Sequence, residues 1–384
     1  MRPAVLFSLL LLIVLAVLVE LFSFSTSFLL DDLYDGRAAV LGRLNRADLA
    51  AFAADHSDPV LGWDHRGPKV AEATTCLDTT VTYSYDEAGA RPYAGYRPED
   101  VEVVVVGDSY SFGAEADDEE AYPARLAADL HTSVANHGVG GYGPVASFLI
   151  LKDKLELYPK AKIAVLGIMY ENIYRMKNSY WPVLYDTFDY GLKPYISGGV
   201  IQGSPGEEVF LDLDRFRRAA NDAFDKDFWA RPHFGFPWSL SFYRALTSNY
   251  YYFRKFQKIF RGLGYPEYFL AYKSERFTED LVSLLNQFSR FSAEKALVPV
   301  VLFIPRNEYD TASVSAFLER HGHRLDAPLH LVDVGEADLD WGRFNLRVED
   351  SNDICHPSAY GYDQIAAYLS AVLRARSLWP AGEP

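Results

Sequence analysis

The sequence predicts an α/β fold in which one parallel sheet is covered by helices on both faces. Short apolar runs at 101–106, 161–168 and 297–304 read as strands buried on both sides rather than on one. Amphipathic segments of helical length separate them, and strands alternating with helices build a parallel sheet. Composition agrees. Of 384 residues, 49% are hydrophobic and 23% charged, which suits one large core plus a sizeable insertion and excludes a disordered chain. A net charge of −15 argues against a nucleic-acid partner, because phosphate binding needs a basic surface. The two cysteines, Cys76 and Cys355, form no CxxC pair, and the His321-x-His323 pair has no accompanying ligands. No metal and no cofactor is expected.

Taken in order, residues 3–19 are almost unbroken apolar sequence, and 21–30 could extend the run. At about 1.5 Å per residue this just crosses a bilayer. Arg2 precedes it, and Asp31, Asp32 and Asp35 follow, which places the N-terminus in the cytoplasm and the bulk of the chain in the periplasm or outside the cell. The run is longer than a usual signal-peptide core and lacks a clear A-x-A site, which favours an uncleaved anchor over residues 1–30. Residues 31–100 are polar and turn-rich and read as a lead-in lying on a catalytic domain, 101–384. Within the lead-in, Arg91 either braces a loop of the site or pairs with a surface acid.

The regular alternation then begins. Strand 101–106 ends in Gly107-Asp108-Ser109 and is followed by a helix at 120–131. Strand 133–136 runs into Asn136-His137-Gly138-Val139-Gly140-Gly141, with a helix at 144–158. Strand 161–168 ends at Met169-Tyr170-Glu171-Asn172. Residues 174–272 interrupt the pattern with dense aromatics and read as an insertion. Its rings, Trp181 among them, can stack on sugars, its basic-aromatic stretch 240–260 can rest on a membrane, or they can form the insertion's own core. The alternation resumes with a helix at 277–294, strand 297–304, a helix at 311–321, strand 329–334, a loop bearing Asp353-Ile-Cys-His356-Pro, and a helix at 358–374. That makes five parallel strands.

Ligands of such sheets bind at the carboxyl ends of the strands. Ser109, Gly141 and Asn172 each lie just past one. A Ser hydroxyl needs a base, an imidazole suits neutral pH, and a carboxylate orients the imidazole. Asp353 and His356 offer both, three residues apart, so Ser109, His356 and Asp353 read as one triad. The backbone N–H groups of Ser109 and Gly141 and the amide of Asn172 are candidate oxyanion donors. Outside the cytoplasm, a Cys76–Cys355 disulfide would tie the lead-in to the His356 loop; two separate thiols are the alternative.

These residues resemble a known family. GDSY after the first strand, NHGVGGYG after the second, an Asn after the third and DxxHP before the last helix are similar to the four blocks of the SGNH (GDSL-type) hydrolases, over 101–173 and 352–369. The resemblance implies a flavodoxin-like three-layer α/β/α fold. It also implies Ser109 as nucleophile, Gly141 and Asn172 as oxyanion donors, and Asp353 and His356 as the rest of the triad. Asp108, Tyr110, His137, Tyr170 and Trp181 are the accompanying candidates for substrate binding. Family members are esterases, lipases, carbohydrate deacetylases and O-acetyltransferases. The third block departs from the usual Gly-x-Asn-Asp, reading Tyr170-Glu171-Asn172-Ile173. The layout is similar to alginate-type O-acetyltransferases that work beside membrane acyl carriers, although there the Asp-His pair precedes the Ser.

The expected function is a membrane-anchored serine acyl-ester enzyme. It would act on O-acyl groups, acetyl above all, of an exported carbohydrate, by hydrolysis or transfer, with a membrane partner as acyl donor in the second case. A lipid or short-chain esterase, and a non-catalytic polysaccharide-binding or assembly subunit, are the alternatives.

Overall fold

A computed structural model describes residues 3–32, 36–185, 187–230, 235–248, 271–308, 312–348 and 354–380. The chain opens with helix α1, Pro3–Asp32. Its stretch Ala4–Thr26 has a mean hydropathy of 3.0 and is long and apolar enough to cross a membrane.

The lead-in is more regular than its turn-rich sequence suggests. It forms two short helices, Gly36–Arg43 and Arg46–Asp55, and a hairpin of Lys69–Thr74 with Thr80–Tyr85. The second helix is capped by Asn45, whose side chain accepts from Asp48 N–H. Two turns of helix are too short for a clear period, which is why the sequence reads as turns.

The sheet is built from β1 (Val101–Gly107), β2 (Ser133–Gly138), β3 (Ile163–Met169), β4 (Val298–Ile304) and β5 (His330–Asp333). All neighbours are parallel, in the order β2-β1-β3-β4-β5. The valines of β1 alternate between two cores. Val104 and Val106 meet helices α2 (Pro144–Lys154) and α3 (Glu275–Glu294) through Phe148 and Phe288. Val103 and Val105 meet Leu126 of the helix Tyr122–Leu130 and Leu369 of α4 (Ala359–Ala375). Both faces are therefore buried, as the continuous valine run requires. The chain leaves β1 for β2 on one side and returns to β3 on the other. This reversal opens a crevice at the carboxyl ends of β1 and β3, where doubly wound sheets bind ligands.

Among the described residues, the insertion is mainly its own core. Tyr180, Phe210, Phe216, Phe224 and Trp229 are buried against one another and against Phe277. Its helix Trp238–Ser248 lies against α1. Rings Phe24 and Trp238 meet edge-on at 4.9 Å, and the Glu20 carboxylate accepts from Trp238 N–H at 2.7 Å. The remainder of the expected helix, 249–260 with Tyr250, Tyr251, Tyr252 and Phe253, lies outside the described residues. One expectation is corrected near the C-terminus. The stretch expected as a loop is extended at Ile354–Pro357 and pairs antiparallel with Asn345–Arg347.

Candidate active site

Ser109 opens a single helical turn, Ser109–Phe112, directly after β1. Asp108 caps this turn by accepting from Tyr110 N–H at 2.9 Å. As the first residue of a helical turn, Ser109 has an N–H with no intrahelical acceptor, so it can donate elsewhere. Its Oγ lies 2.9 Å from His356 Nε2, although the two residues stand 247 apart in sequence. The sequence-predicted nucleophile and base are thus brought together, within proton-transfer distance.

Asp353 lies outside the described residues. Among the described residues, the carboxylate that faces the other ring nitrogen is Glu115, whose Oε1 is 3.5 Å from His356 Nδ1. Glu115 sits at φ +64°, on a tight turn after the Ser109 helix. Burial pushes its carboxyl up, but the His356 side chain and the backbone N–H groups of His356 and Cys76 outweigh this and hold it below the ordinary value. The turn is fixed from three sides. Tyr83 OH accepts from Glu115 N–H (2.8 Å), and Tyr362 OH donates to Ala114 O (2.8 Å). Buried Arg91 donates to Phe112 O (2.8 Å), Gly113 O (2.7 Å) and Ala116 O (2.6 Å) and pairs with Asp118 at 2.7 Å. Of the two readings of Arg91, the brace is therefore correct, and its acid partner is part of the brace. Cys76 and Cys355 are joined in a disulfide, which links the lead-in to the residue before His356. Among the described residues, the cluster closest to a metal-ligand set is Cys76, Glu115 and Cys355, and the disulfide takes both sulfurs out of it.

Ser109 and His356 line a cavity of about 610 Å³. Tyr110 and Trp181 line it too, as the sequence suggested, and the Tyr110 ring lies 5.6 Å from that of His356. Gly141 adopts φ +81°, and a Cβ there would stand 3.4 Å from both the Trp181 and Trp63 rings, so the glycine turn meets the Trp181 wall. Asn172 is fully buried, and its Nδ2 donates to Asp108 Oδ2 at 2.7 Å. An amide nitrogen carries two N–H donors, so this bond orients the group without exhausting it. Asp108 is buried as well. Burial raises its pKa, against the opposing pull of Arg175 and the Asn172 and Tyr110 donors. It holds the turn and the Asn172 amide, and it is not among the residues that line the cavity.

Two expectations are corrected. His137 is buried, pairs through Nε2 with Tyr158 OH at 2.7 Å, and is held neutral by burial, its pKa pushed down to about 3. Tyr170 is buried and donates to Asp333. Neither lines the cavity, because both side chains project into packed interior instead of toward the strand-end crevice.

The cavity also contains groups that sequence reasoning did not assign. Glu171 accepts from Tyr185 OH and from Arg175 Nη2 (3.2 Å), and its other oxygen lies 3.3 Å from Arg306. The Arg175 guanidinium stacks 5.0 Å over the Trp181 ring. The signal was Glu171 itself, an acid before the Asn where the resembled block carries its acid after it.

No family model matches the chain, and no curated protein matches it. Among solved structures it is similar to a protein from Desulfitobacterium hafniense described as a lipolytic protein of the G-D-S-L family. Identity is 12%, the match covers 71% of this chain and 100% of that one, and the TM-score is 0.34.

Proposed function

We propose that this protein is a serine-dependent acyl-ester enzyme that works through an acyl-Ser109 intermediate. The observation that carries the reading is the 2.9 Å contact between Ser109 Oγ and His356 Nε2 in a cavity at the β1/β3 crevice. Ser109 Oγ attacks the acyl carbon and its proton passes to Nε2. The ester C–O bond breaks and the leaving alcohol takes that proton. Water or an acceptor hydroxyl then gives its proton to Nε2 and attacks acyl-Ser109; the acyl–Oγ bond breaks, Nε2 returns the proton to Ser109 Oγ, and the acyl group leaves on its new oxygen. The N–H groups of Ser109 and Gly141 and the Asn172 amide are the proposed donors to the oxyanion; losing one such donor costs about 10²–10³ in rate. The motif resemblance supports the same chemistry.

The proposed substrate is an O-acyl group, acetyl in the first instance, on a carbohydrate outside the cytoplasm. Support comes from the cavity lining, where the aromatic rings of Tyr110, Trp181 and Tyr185 stand beside the polar groups of Glu171, Arg175 and Arg306. The apolar α1 supports attachment to a membrane from which an acyl donor could be served.

The test uses the full chain in detergent micelles and its Ser109→Ala variant. Each is incubated with an aryl acetate, with and without an oligosaccharide, and aryl release, acylated sugar and protein mass are followed. The expected result is aryl release that falls roughly 10³-fold or more in the variant, with acetyl trapped on Ser109 of the parent. Acylated sugar would identify transfer, and free acetate alone hydrolysis. Equal release by both proteins would refute the proposal.

A further inference from the structure

We propose that Glu115 is the carboxylate that positions His356, in the role the sequence suggests for Asp353. The inference rests on the reading of Ser109 as nucleophile and His356 as base, and adds the residue that sets the ring's tautomer.

For Nε2 to take the Ser109 proton, the neutral ring must carry its own proton on Nδ1. That proton needs an acceptor. His356 Nδ1 is buried, and among the described residues the acid facing it is Glu115, at 3.5 Å from Oε1. A distance of this size closes to a hydrogen bond with a small side-chain adjustment, and such bonds are commonly long before substrate binds. Glu115 is also built to hold its place. Its backbone N–H is taken by Tyr83, the carbonyl before it by Tyr362, and the turn around it by the Arg91 guanidinium. The Cys76–Cys355 disulfide brings the lead-in to the same point, so Glu115 and His356 are tethered from both sides. Glu115→Gln removes the negative charge that Oε1 presents to Nδ1 and offers a neutral amide in its place, so the tautomer protonated on Nδ1 loses its charged acceptor. The tautomer protonated on Nε2, which cannot accept from Ser109, gains in its place.

The experiment is ¹⁵N spectroscopy of histidine-labelled full chain in micelles, with Glu115→Gln and Asp353→Asn, alongside aryl acetate turnover. The unsubstituted protein is expected to carry the neutral His356 proton on Nδ1. Glu115→Gln is expected to move it toward Nε2 and to lower kcat by about 10²–10⁴-fold with little change in KM. Asp353→Asn is expected to leave the tautomer in place. A His356 proton on Nε2 in the unsubstituted protein overturns the proposal without any variant having to fold. So does a tautomer that responds to Asp353→Asn and not to Glu115→Gln. Absence of turnover in the unsubstituted protein, with the tautomer still responding to Glu115, would refute the acyl-enzyme reading and leave the Glu115–His356 pairing standing.

Discussion

Replacing Arg91 by Met keeps most of the side-chain volume and removes the guanidinium from beneath the Ser109 turn. In the structure that group is buried and serves four carbonyls and one carboxylate. Phe112 O would keep a second donor, the Asn136 amide at 3.2 Å. Gly113 O would keep the Ala116 N–H at 3.3 Å, whereas Ala116 O would be left without a donor among the described residues, and an orphaned buried acceptor costs about 1–3 kcal/mol. Asp118 would lose its partner but keeps its bonds from Ser84 N–H and some contact with solvent. With the charge-assisted bonds to the other carbonyls and to Asp118 also lost, the total is about 2–4 kcal/mol. Spread over a chain of 384 residues, this lowers Tm by about 2–5 °C. Because the same turn carries Glu115, kcat for an aryl acetate should fall at least about tenfold even below the new Tm. Arg91→Lys should recover less than half of either loss, since one ammonium cannot reach acceptors arranged around a planar fork. The assay is thermal unfolding in micelles followed by intrinsic fluorescence, with turnover measured at 25 °C. A Tm within about 1 °C of the parent, with unchanged kcat, would refute the argument that Arg91 holds the turn.

Two further outcomes are expected. Gly141→Ala must place a Cβ at φ +81° beside two tryptophan rings, so it should cost about 1 kcal/mol of stability. It should also lower kcat by about 10–10³-fold if the Gly141 N–H stabilises the oxyanion; unchanged kcat would remove it from that role. Lys193 is buried, and burial lowers its pKa to about 7, against the pull of Asp227. Between about pH 7 and its ordinary value the unfolded chain binds more protons than the folded one, so this group's contribution to stability falls as pH drops from above 10 toward 7 and is flat below. Lys193→Met should remove that slope and raise Tm at pH 7 by the equivalent of about 2–4 kcal/mol, after loss of the bond from Nζ to Arg175 O. A Tm difference between variant and parent that is the same at pH 7 and pH 9.5 would contradict this.

Much of the fold is legible in the sequence because it rests on local periodicity. Val101–Gly107 can bury valines on both sides only as an inner strand, and a Pro at the start of Pro144–Lys154 suits a helix N-terminus. Ser109 and Gly141 are legible for the same reason, since turn residues just past a strand fall on the sheet's carboxyl edge whatever lies elsewhere. Asp108 and Asn172 sit at equally legible positions, but their mutual bond makes them scaffold as much as site. His137 and Tyr170 show the limit. Each lies at the end of a strand, and which way its ring turns depended on the packing partner available, Tyr158 for one and Asp333 for the other.

Sequence alone determined the strand and helix order, the apolar span of α1, and the Ser and His that meet at the crevice, because backbone periodicity and strand-end position are properties of neighbouring residues. Tertiary structure decided that Glu115 comes within 3.5 Å of His356, that Arg91 is a buried brace, and that Trp181 rather than His137 borders the cavity. Those outcomes depend on side chains that approach from segments far apart in the chain, where the energy of a contact is set by burial and by which donors and acceptors happen to be left unpaired.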